Sequence, residues 1–315
     1  MTFSHALTVA MGQPNQRPLK AAVITYNQYD LAIQAAEALL NGTRVPDEVV
    51  IVDNGCLFVS PFGDRVTVLR PPFNLGYAGG INHFCDYAGT DVDCMILNDD
   101  LIVGRMTVEL AGAAPGWFVM IEAFGCFIMR PAVREHVGPW GNEYWPMGPE
   151  DQDYRWRLHL AAPDIGPFGC SGGIVISSKE DCQHVDGGHK TVLSIGEWSN
   201  YFRDRNNRLL ARRWGPSTST NGDYLFTHKV PYGGVVVDEL ELFVKDSILE
   251  GRLSADEANA LRGLEVIDMN GDSPYLAAAA VLYSPGATLT VSRPFCDEWP
   301  IVWALAGSRL NLVIA

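Results

Sequence analysis

Four short apolar runs in the first third of the chain each stop in a polar cluster, and this pattern restricts the fold more than any other feature. Ala21-Ala22-Val23-Ile24 runs into Thr25-Tyr26-Asn27, and Val49-Val50-Ile51-Val52 into Asp53-Asn54-Gly55. Val66 to Leu69 runs into Arg70-Pro71-Pro72, and Cys94 to Leu97 into Asn98-Asp99-Asp100. Unbroken apolar strands have no solvated face, so the sheet they build is mostly parallel and covered by helices on both sides. The segments between them are of helix length. Tyr29 to Leu40, rich in Ala and Leu and followed by Asn41-Gly42, predicts the helix after the first strand. In sheets of this kind ligands bind beyond the carboxyl ends of the strands, so the residues that end the four runs are candidates to face one crevice.

The bulk properties narrow the function classes. With 315 residues, 47% hydrophobic and 19% charged, the chain has ordinary globular composition and length for one large domain with an appendage. A formal net charge of -14 argues against broad binding to duplex nucleic acid, which depends on cationic side chains displacing counterions. No segment approaches the roughly 20 apolar residues that span a bilayer, and Met1 to Lys20 lacks the pattern of a signal peptide. The default compartment is therefore the cytoplasm. Cys56, Cys85, Cys94, Cys126, Cys170, Cys182 and Cys296 are odd in number and scattered, which fits neither a disulfide framework nor a zinc ribbon and implies mostly buried thiols.

Three regions follow: a polar arm over 1–18, an α/β domain over 19–215, and an α+β appendage over 216–315. Past Pro216 the Ser-Thr-Ser-Thr-Asn-Gly stretch reads as a linker or loop. Ser254-Ala255-Asp256-Glu257 is a capping box that opens a helix, and Val281 to Val291 reads as a strand pair turning at Ser284-Pro285-Gly286. The appendage shows no clustered acids, histidines or phosphate loop, which points to packing, oligomerisation or acceptor docking.

Four constellations are candidates for chemistry. Adjacent carboxylates such as Asp99 and Asp100 repel each other, and at a crevice a cation explains them best, although a solvated turn is the commoner origin of such a pair. Hard oxygen ligands favour Mg2+ or Mn2+, which bridge protein carboxylates and substrate phosphates. Glu150, Asp151 and Asp153 fall where a helix begins, so they either answer its dipole or supply a general base. His184, followed by Gly187-Gly188, is a loop histidine that is either structural or a metal ligand, with His189 as its alternative. Finally, Tyr201 to Trp214 is a basic helix in an acidic chain. Arg205, Arg208 and Arg212 on one of its faces either pair with nearby acids or engage a diphosphate or anionic acceptor.

The series Ala22 to Asn27, Val50 to Gly55, Asn74-Leu75-Gly76-Tyr77-Ala78-Gly79-Gly80-Ile81-Asn82 and Ile96 to Asp100 resembles the family 2 glycosyltransferases, particularly the rhamnosyl- and galactofuranosyltransferase branch. The resemblance covers about residues 20 to 214. It implies a GT-A fold, a nucleoside-diphosphate-sugar donor linked to uridine or thymidine diphosphate, and Mn2+ or Mg2+ as cofactor. Glu150-Asp151-Gln152-Asp153-Tyr154-Arg155-Trp156-Arg157 matches the family's Glu-Asp-x-Asp-x-x-Trp-Arg signature. This implies Asp151 as the base, Asp153 as its reserve and Glu150 as a holder of the acceptor. The resemblance also implies His184 as a metal ligand. Asn98 stands where many relatives have aspartate, which leaves Asp100 the stronger metal ligand, with Asp99 a further candidate or a neighbour of the donor ribose or sugar.

On this reading Thr25, Tyr26, Asn27, Asp53, Asn54, Arg70, Asn74, Gly76, Gly79, Gly80 and Asn82 hold the nucleotide, the stretch from Asn74 to Gly80 as a loop and Asp53 by accepting from the base. Arg205 and Arg208 lie near the diphosphate. The expected reaction is a single displacement onto an acceptor hydroxyl with inversion. A rival of another class is a catalytically silent sugar-nucleotide-binding or interaction protein on the same fold. A nucleotidyltransferase is disfavoured, because Thr25-Tyr26-Asn27-Gln28 is not a lysine-containing phosphate loop.

Overall fold

The computed structural model describes residues 17–71, 74–114, 116–161, 182–185, 198–220, 223–227, 239–269, 273–291 and 311–314. The N-terminal arm up to residue 16, Cys170, Gly187, Gly188, His189 and Cys296 lie outside them. The chain divides into two compact units, one holding Met1–Pro72 and Gly76–Pro231, the other Phe73–Leu75 and Tyr232–Ala315. The first unit thus runs past residue 215.

Its centre is a six-stranded sheet in the order β3-β2-β1-β4-β7-β6. β1 (Leu19–Thr25), β2 (Glu48–Asp53), β3 (Thr67–Leu69) and β4 (Asp93–Asn98) are parallel, with Thr25 opposite Asp53 and Ile24 opposite Asn98. The hairpin β6 (Phe118–Glu122) and β7 (Cys126–Met129) adds two antiparallel strands beyond β4. The apolar runs are continuous because alternate residues feed two cores. Ala21, Val23, Val49, Ile51, Met95 and Leu97 pack with Ala32, Ala35, Ala36 and Leu39 of α1 (Tyr29–Leu40). Ala22, Ile24, Val50, Val52 and Ile96 pack on the opposite face with Ile81 and Phe84 of α2 (Gly76–Ala88). The chain moves outward from β1 to β3 and then returns to β4 on the other side of β1. Their carboxyl ends, Thr25 and Asn98, therefore flank the topological switch point where such sheets open a crevice.

α2 corrects the expectation of a loop from Asn74 to Gly80, because Gly76, Gly79 and Gly80 are already helical. The physical reason is packing: a Cβ on Gly80 would stand 3.0 Å from Ile24 Cγ2 and 3.3 Å from Asn54 Nδ2, so glycine brings the helix backbone close to the sheet. α3 (Thr107–Ala113) and α4 (Pro131–Val137) follow β5 (Leu101–Val103) and β7 respectively. α5 (Glu150–Ala161) starts at Glu150 as its acidic first turn implies, and α6 (Trp198–Trp214) is the basic helix. Tyr144, Trp156, Leu210, Trp214 and Phe226 form a third core, in which α5 and α6 meet the strand that ends at Phe226.

Two further readings are corrected. His184 lies in a short strand, β8 (Cys182–His184), which pairs antiparallel with β5 and sets His184 opposite Leu101. Ser217–Thr220, expected as linker or loop, is strand instead, since β9 (Ser217–Thr220) and β10 (Asp223–Phe226) pair as antiparallel strands within the first unit. The described cysteines are free thiols, with Cys94, Cys126 and Cys182 buried and Cys56 and Cys85 partly so.

The second unit holds α7 (Glu239–Leu249), α8 (Ala255–Ala260), β11 (Val266–Asp268), α9 (Pro274–Tyr283), β12 (Thr288–Val291) and β13 (Asn311–Ile314). Ser254 and Glu257 form the expected capping box. The strand pair expected within Val281 to Val291 is absent: Val281 to Tyr283 end α9, and β12 pairs in parallel with β11 and β13. Ser273 caps α9, Pro274 fits its first turn, and the alanine run that follows favours helix strongly. Among the described residues, no helix is long and apolar enough to cross a membrane.

Candidate active site

The ends of β1 and β2 form a tightly bonded rim. Thr25 and Asp53 are buried, and the Asn54 backbone N–H donates to the Thr25 carbonyl at 3.0 Å. Asp53 Oδ1 accepts from the Gly55 N–H at 3.1 Å and Oδ2 from the Phe58 N–H at 2.8 Å, so this carboxylate shapes the turn after β2. Arg70 Nε lies 3.7 Å from Asp53 Oδ2, while another Arg70 nitrogen donates to the Phe58 carbonyl at 2.5 Å. Exposed Asn27, at φ 59°, lies over this turn, where a Cβ on Gly55 would come within 2.1 Å of Asn27 Oδ1. Tyr26 is partly buried beside it. The Asn54 amide donates to the Gly76 carbonyl at 3.2 Å, which ties β2 to the start of α2.

Asn82 is a strap: its Oδ1 accepts from the Trp140 N–H at 2.9 Å, and its amide donates to the Trp140 carbonyl and to Asn142 Oδ1, each at 2.9 Å. Gly79 is buried in the first turn of α2. Asn74 groups with the second unit.

Beyond β4 lies a set of buried acceptor oxygens. Asn98 Oδ1, Asp99 Oδ2 and Asp100 Oδ1 are shielded from solvent without a hydrogen-bond partner. Burial pushes the Asp99 carboxyl up to about 7, against the pull of the Thr25 hydroxyl, and the neighbouring Asp100 pushes it further the same way. The β5–β8 pairing brings His184 to this place, with Nδ1 3.5 Å from Asp100 Oδ2 and Nε2 3.9 Å from Glu122 Oε1. Among the described residues, no three His, Cys, Asp or Glu side chains converge to hold a metal by themselves. Mg2+ and Mn2+ sites at phosphate-transferring centres use one or two protein ligands and take the rest from water and phosphate. Asp100 and His184, beside acceptor oxygens that lack donors, fit such a cation.

A second acidic pair opens α5. Glu150 is 7% exposed, and its Oε2 has no hydrogen-bond partner. Burial, and then the neighbouring Asp151, raise its carboxyl well above the usual range. Asp151 is also raised by burial, although its Oδ1 accepts from the Gln152 N–H at 2.7 Å and Arg155 pulls the other way.

Tyr77 is a partly buried phenol of α2 that sequence reasoning missed. Its hydroxyl donates to the Phe124 carbonyl at 2.7 Å. Burial above all, and then the fields of Glu150, Cys126, Asp151 and Asp100, raise its pKa well above the ordinary phenol value. The available signal was position, since Tyr77 stands inside the glycine-rich run that starts α2.

Asp153 and Arg205 serve the packing of α5 on α6. Asp153 is fully buried; its Oδ1 accepts from Trp214 Nε1 at 2.7 Å and the Tyr144 hydroxyl at 3.3 Å, and its Oδ2 from Arg157 Nε at 2.8 Å. Arg213 adds a contact of 3.4 Å to Asp153 Oδ1 and a bond to the Glu143 carboxylate. Buried Arg205 donates to the Glu143 carbonyl at 3.1 Å and to Asn206 Oδ1 at 2.6 Å, whereas Arg208 and Arg212 are exposed.

With β1 to β4 placed, comparison with known proteins bears on these elements directly. Residues 21–111 match the family model Glycosyl transferase family 2. The matched segment runs from β1 into α3 and carries Thr25, Asp53, Gly80, Asp99 and Asp100, while Glu150, Asp151 and His184 lie outside it. The helix-flanked, mainly parallel sheet is the α/β, GT-A arrangement that the sequence implies. No curated protein matches the chain. Among solved structures, it is similar to the mannosyltransferase PcManGT from Pyrobaculum calidifontis in complex with GDP-Man and Mn2+. The identity is 15% over 51% of this chain and 58% of that one, with a TM-score of 0.39. It is also similar to S. aureus TarS, at 16% identity over 45% of this chain and 33% of that one, with a TM-score of 0.37. For TarS 1-349 in complex with UDP the identity is 14% over 45% of this chain and 55% of that one, with a TM-score of 0.36. The chain thus spans less than two thirds of the length of each.

Proposed function

We propose that this chain is a divalent-metal-dependent, inverting glycosyltransferase of the hexosyltransferase type, which moves a sugar from a UDP- or dTDP-linked donor to an acceptor hydroxyl. The observation that carries the reading is the set of buried acceptor oxygens without partners on Asn98, Asp99 and Asp100, with His184 Nδ1 3.5 Å from Asp100 Oδ2, in a sheet whose strands end in Thr25, Asp53 and Asn98 and whose segment 21–111 matches the family 2 model. Rhamnose and galactofuranose lead among the sugars, on the resemblance of the motifs to that branch.

The roles follow from where each group lies. Thr25, Tyr26, Asn27, Asn54 and the backbone of the turn braced by Asp53 and Arg70 hold the nucleotide. Asp99 faces the donor ribose or sugar. Asp100 and His184 hold Mn2+ or Mg2+, which when bound offsets the charge that builds on the departing diphosphate. Asp151 accepts the proton of the acceptor hydroxyl as its oxygen attacks the anomeric carbon from the face opposite the diphosphate. The bond to the diphosphate breaks in the same step, and the configuration inverts. Glu150 orients the acceptor. Asp153 leaves the list of bases, because its oxygens are bonded to Trp214, Tyr144 and Arg157. Arg205 becomes a support of the Glu143 segment, which leaves Arg208 and Arg212 as the exposed cations of α6. The second unit serves acceptor docking or packing.

The test is Asp151→Asn, which removes the base at nearly constant volume. Donor binding persists, and transfer falls by about 10²- to 10⁴-fold. Unchanged transfer, or a product of retained configuration by NMR, would overturn the mechanism.

A further inference from the structure

Glu122 enters the site by a route that costs the backbone regularity. The β6–β7 ladder shifts register between Met120 and Glu122, and the next residue, Ala123, takes φ 42°, a conformation that side chains other than glycine rarely adopt. Bulges beside functional sites re-aim a side chain, and strain of this kind persists where the surroundings impose it. Here the bulge ends with the Glu122 carboxylate 3.9 Å from His184 Nε2, while the other ring nitrogen, Nδ1, faces Asp100 Oδ2 at 3.5 Å. The imidazole is therefore bracketed by two carboxylates from different elements, Asp100 in the turn before β5 and Glu122 in β6.

The two contacts differ in kind. A separation of 3.5 Å is wide for a hydrogen bond, but it suits two ligand atoms that share one divalent cation at about 2.1 Å each. On the far side of the ring, the Glu122 and His184 side chains are 35% and 45% exposed, and a small rotation brings Nε2–H into hydrogen-bond range. A histidine that binds a metal through one nitrogen almost always donates the other N–H to a carboxylate, carbonyl or water, which fixes the tautomer and raises the basicity of the ligating nitrogen.

We propose that Glu122 is a positioning residue that accepts Nε2–H of His184, so that Nδ1 presents its lone pair toward Asp100 and the cation. This rests on the metal assignment above and adds a residue that the sequence motifs do not contain. Glu122 acts through His184 and does not touch the cation.

The test uses the full chain titrated with Mn2+ alone, with free Mn2+ read by electron paramagnetic resonance. Glu122→Ala weakens Mn2+ binding by about 10- to 100-fold, while Glu122→Gln, whose amide oxygen still accepts from Nε2–H, retains most of it. In a His184→Ala background, Glu122→Ala has no further effect. A second readout needs no metal: nitrogen-15 NMR of the metal-free protein shows His184 as the Nε2–H tautomer, and Glu122→Ala shifts it toward the other. Unchanged Mn2+ affinity in Glu122→Ala, an equal loss in the His184→Ala background, or an Nδ1–H tautomer in the parent chain would overturn the proposal. If Asp100→Ala abolishes Mn2+ binding and Glu122→Ala does nothing, only the role of Glu122 falls. If Asp100→Ala also leaves binding intact, the metal assignment falls with it.

Discussion

Replacing Glu150 by glutamine should make the metal-free protein more stable at alkaline pH and leave it unchanged at acid pH. Glu150 is 7% exposed, lacks a partner at Oε2 and stands beside Asp151, so the folded chain holds its proton more tightly than the unfolded chain does. Between the ordinary carboxylate range and the raised value, the folded state binds more protons, and stability falls as pH rises. Each pH unit in that window removes about 1.4 kcal/mol, and the loss is complete above the raised pKa. Glutamine keeps the volume and removes the titration. At pH 4 the two proteins should differ by less than about 0.5 kcal/mol, within the spread of neutral substitutions. At pH 8 the variant should be more stable by an amount on the order of 1 kcal/mol or more, a shift of a few degrees in midpoint for a chain of this size. The assay is thermal unfolding followed by circular dichroism across pH 4 to 8 with EDTA present. A difference independent of pH, or a variant less stable than the parent at pH 8, would refute the reasoning.

Other consequences concern the base, the metal and the frame of the site. Because burial raises Asp151, the acid limb of the pH–rate profile should fall with unit slope below a pKa above the usual carboxylate range; a limb at or below pH 4 would contradict that burial. Asp100→Ala should remove divalent-dependent turnover without lowering the unfolding midpoint, since its Oδ1 has no partner to lose; full turnover would sink the assignment. Trp214→Phe strips a 2.7 Å donor from buried Asp153 and should cost about 1–3 kcal/mol by urea unfolding, where a neutral result would deny the anchor. Gly76→Ala places a Cβ 2.7 Å from Trp145 Cδ1 at φ +70° and should cost about 2–4 kcal/mol by the same measurement.

What the sequence disclosed was whatever is encoded locally. The runs at 21–24, 49–52 and 94–97 are strands because every residue has a buried face to fill, and Tyr29–Leu40 is the helix its pattern implies. Long-range pairing was invisible. Cys182–His184 is three residues long and becomes a strand only by bonding to Leu101–Val103, so His184 read as a loop residue. Ser217–Thr220 read as a linker or loop from its composition, although its pairing with Asp223–Phe226 makes it a strand. Charge was legible but its use was not. Asp153 and Arg205 sit in motifs that suggest chemistry, and only the positions of Trp214, Arg157 and Asn206 show that they hold helices together. Glu122 had no local signal, because its place depends on a bulge and on a partner in another strand.

The central claim is a nucleotide site at the switch point that depends on a cation held by Asp100, and calorimetric titration with UDP, dTDP and GDP, each with Mn2+ and with EDTA, tests it without knowledge of the acceptor. The account predicts that UDP or dTDP binds with Mn2+, that EDTA weakens this binding by at least about tenfold, and that Asp100→Ala reproduces the effect of EDTA. Binding of none of the three nucleotides, or binding indifferent to both Mn2+ and Asp100, would contradict it.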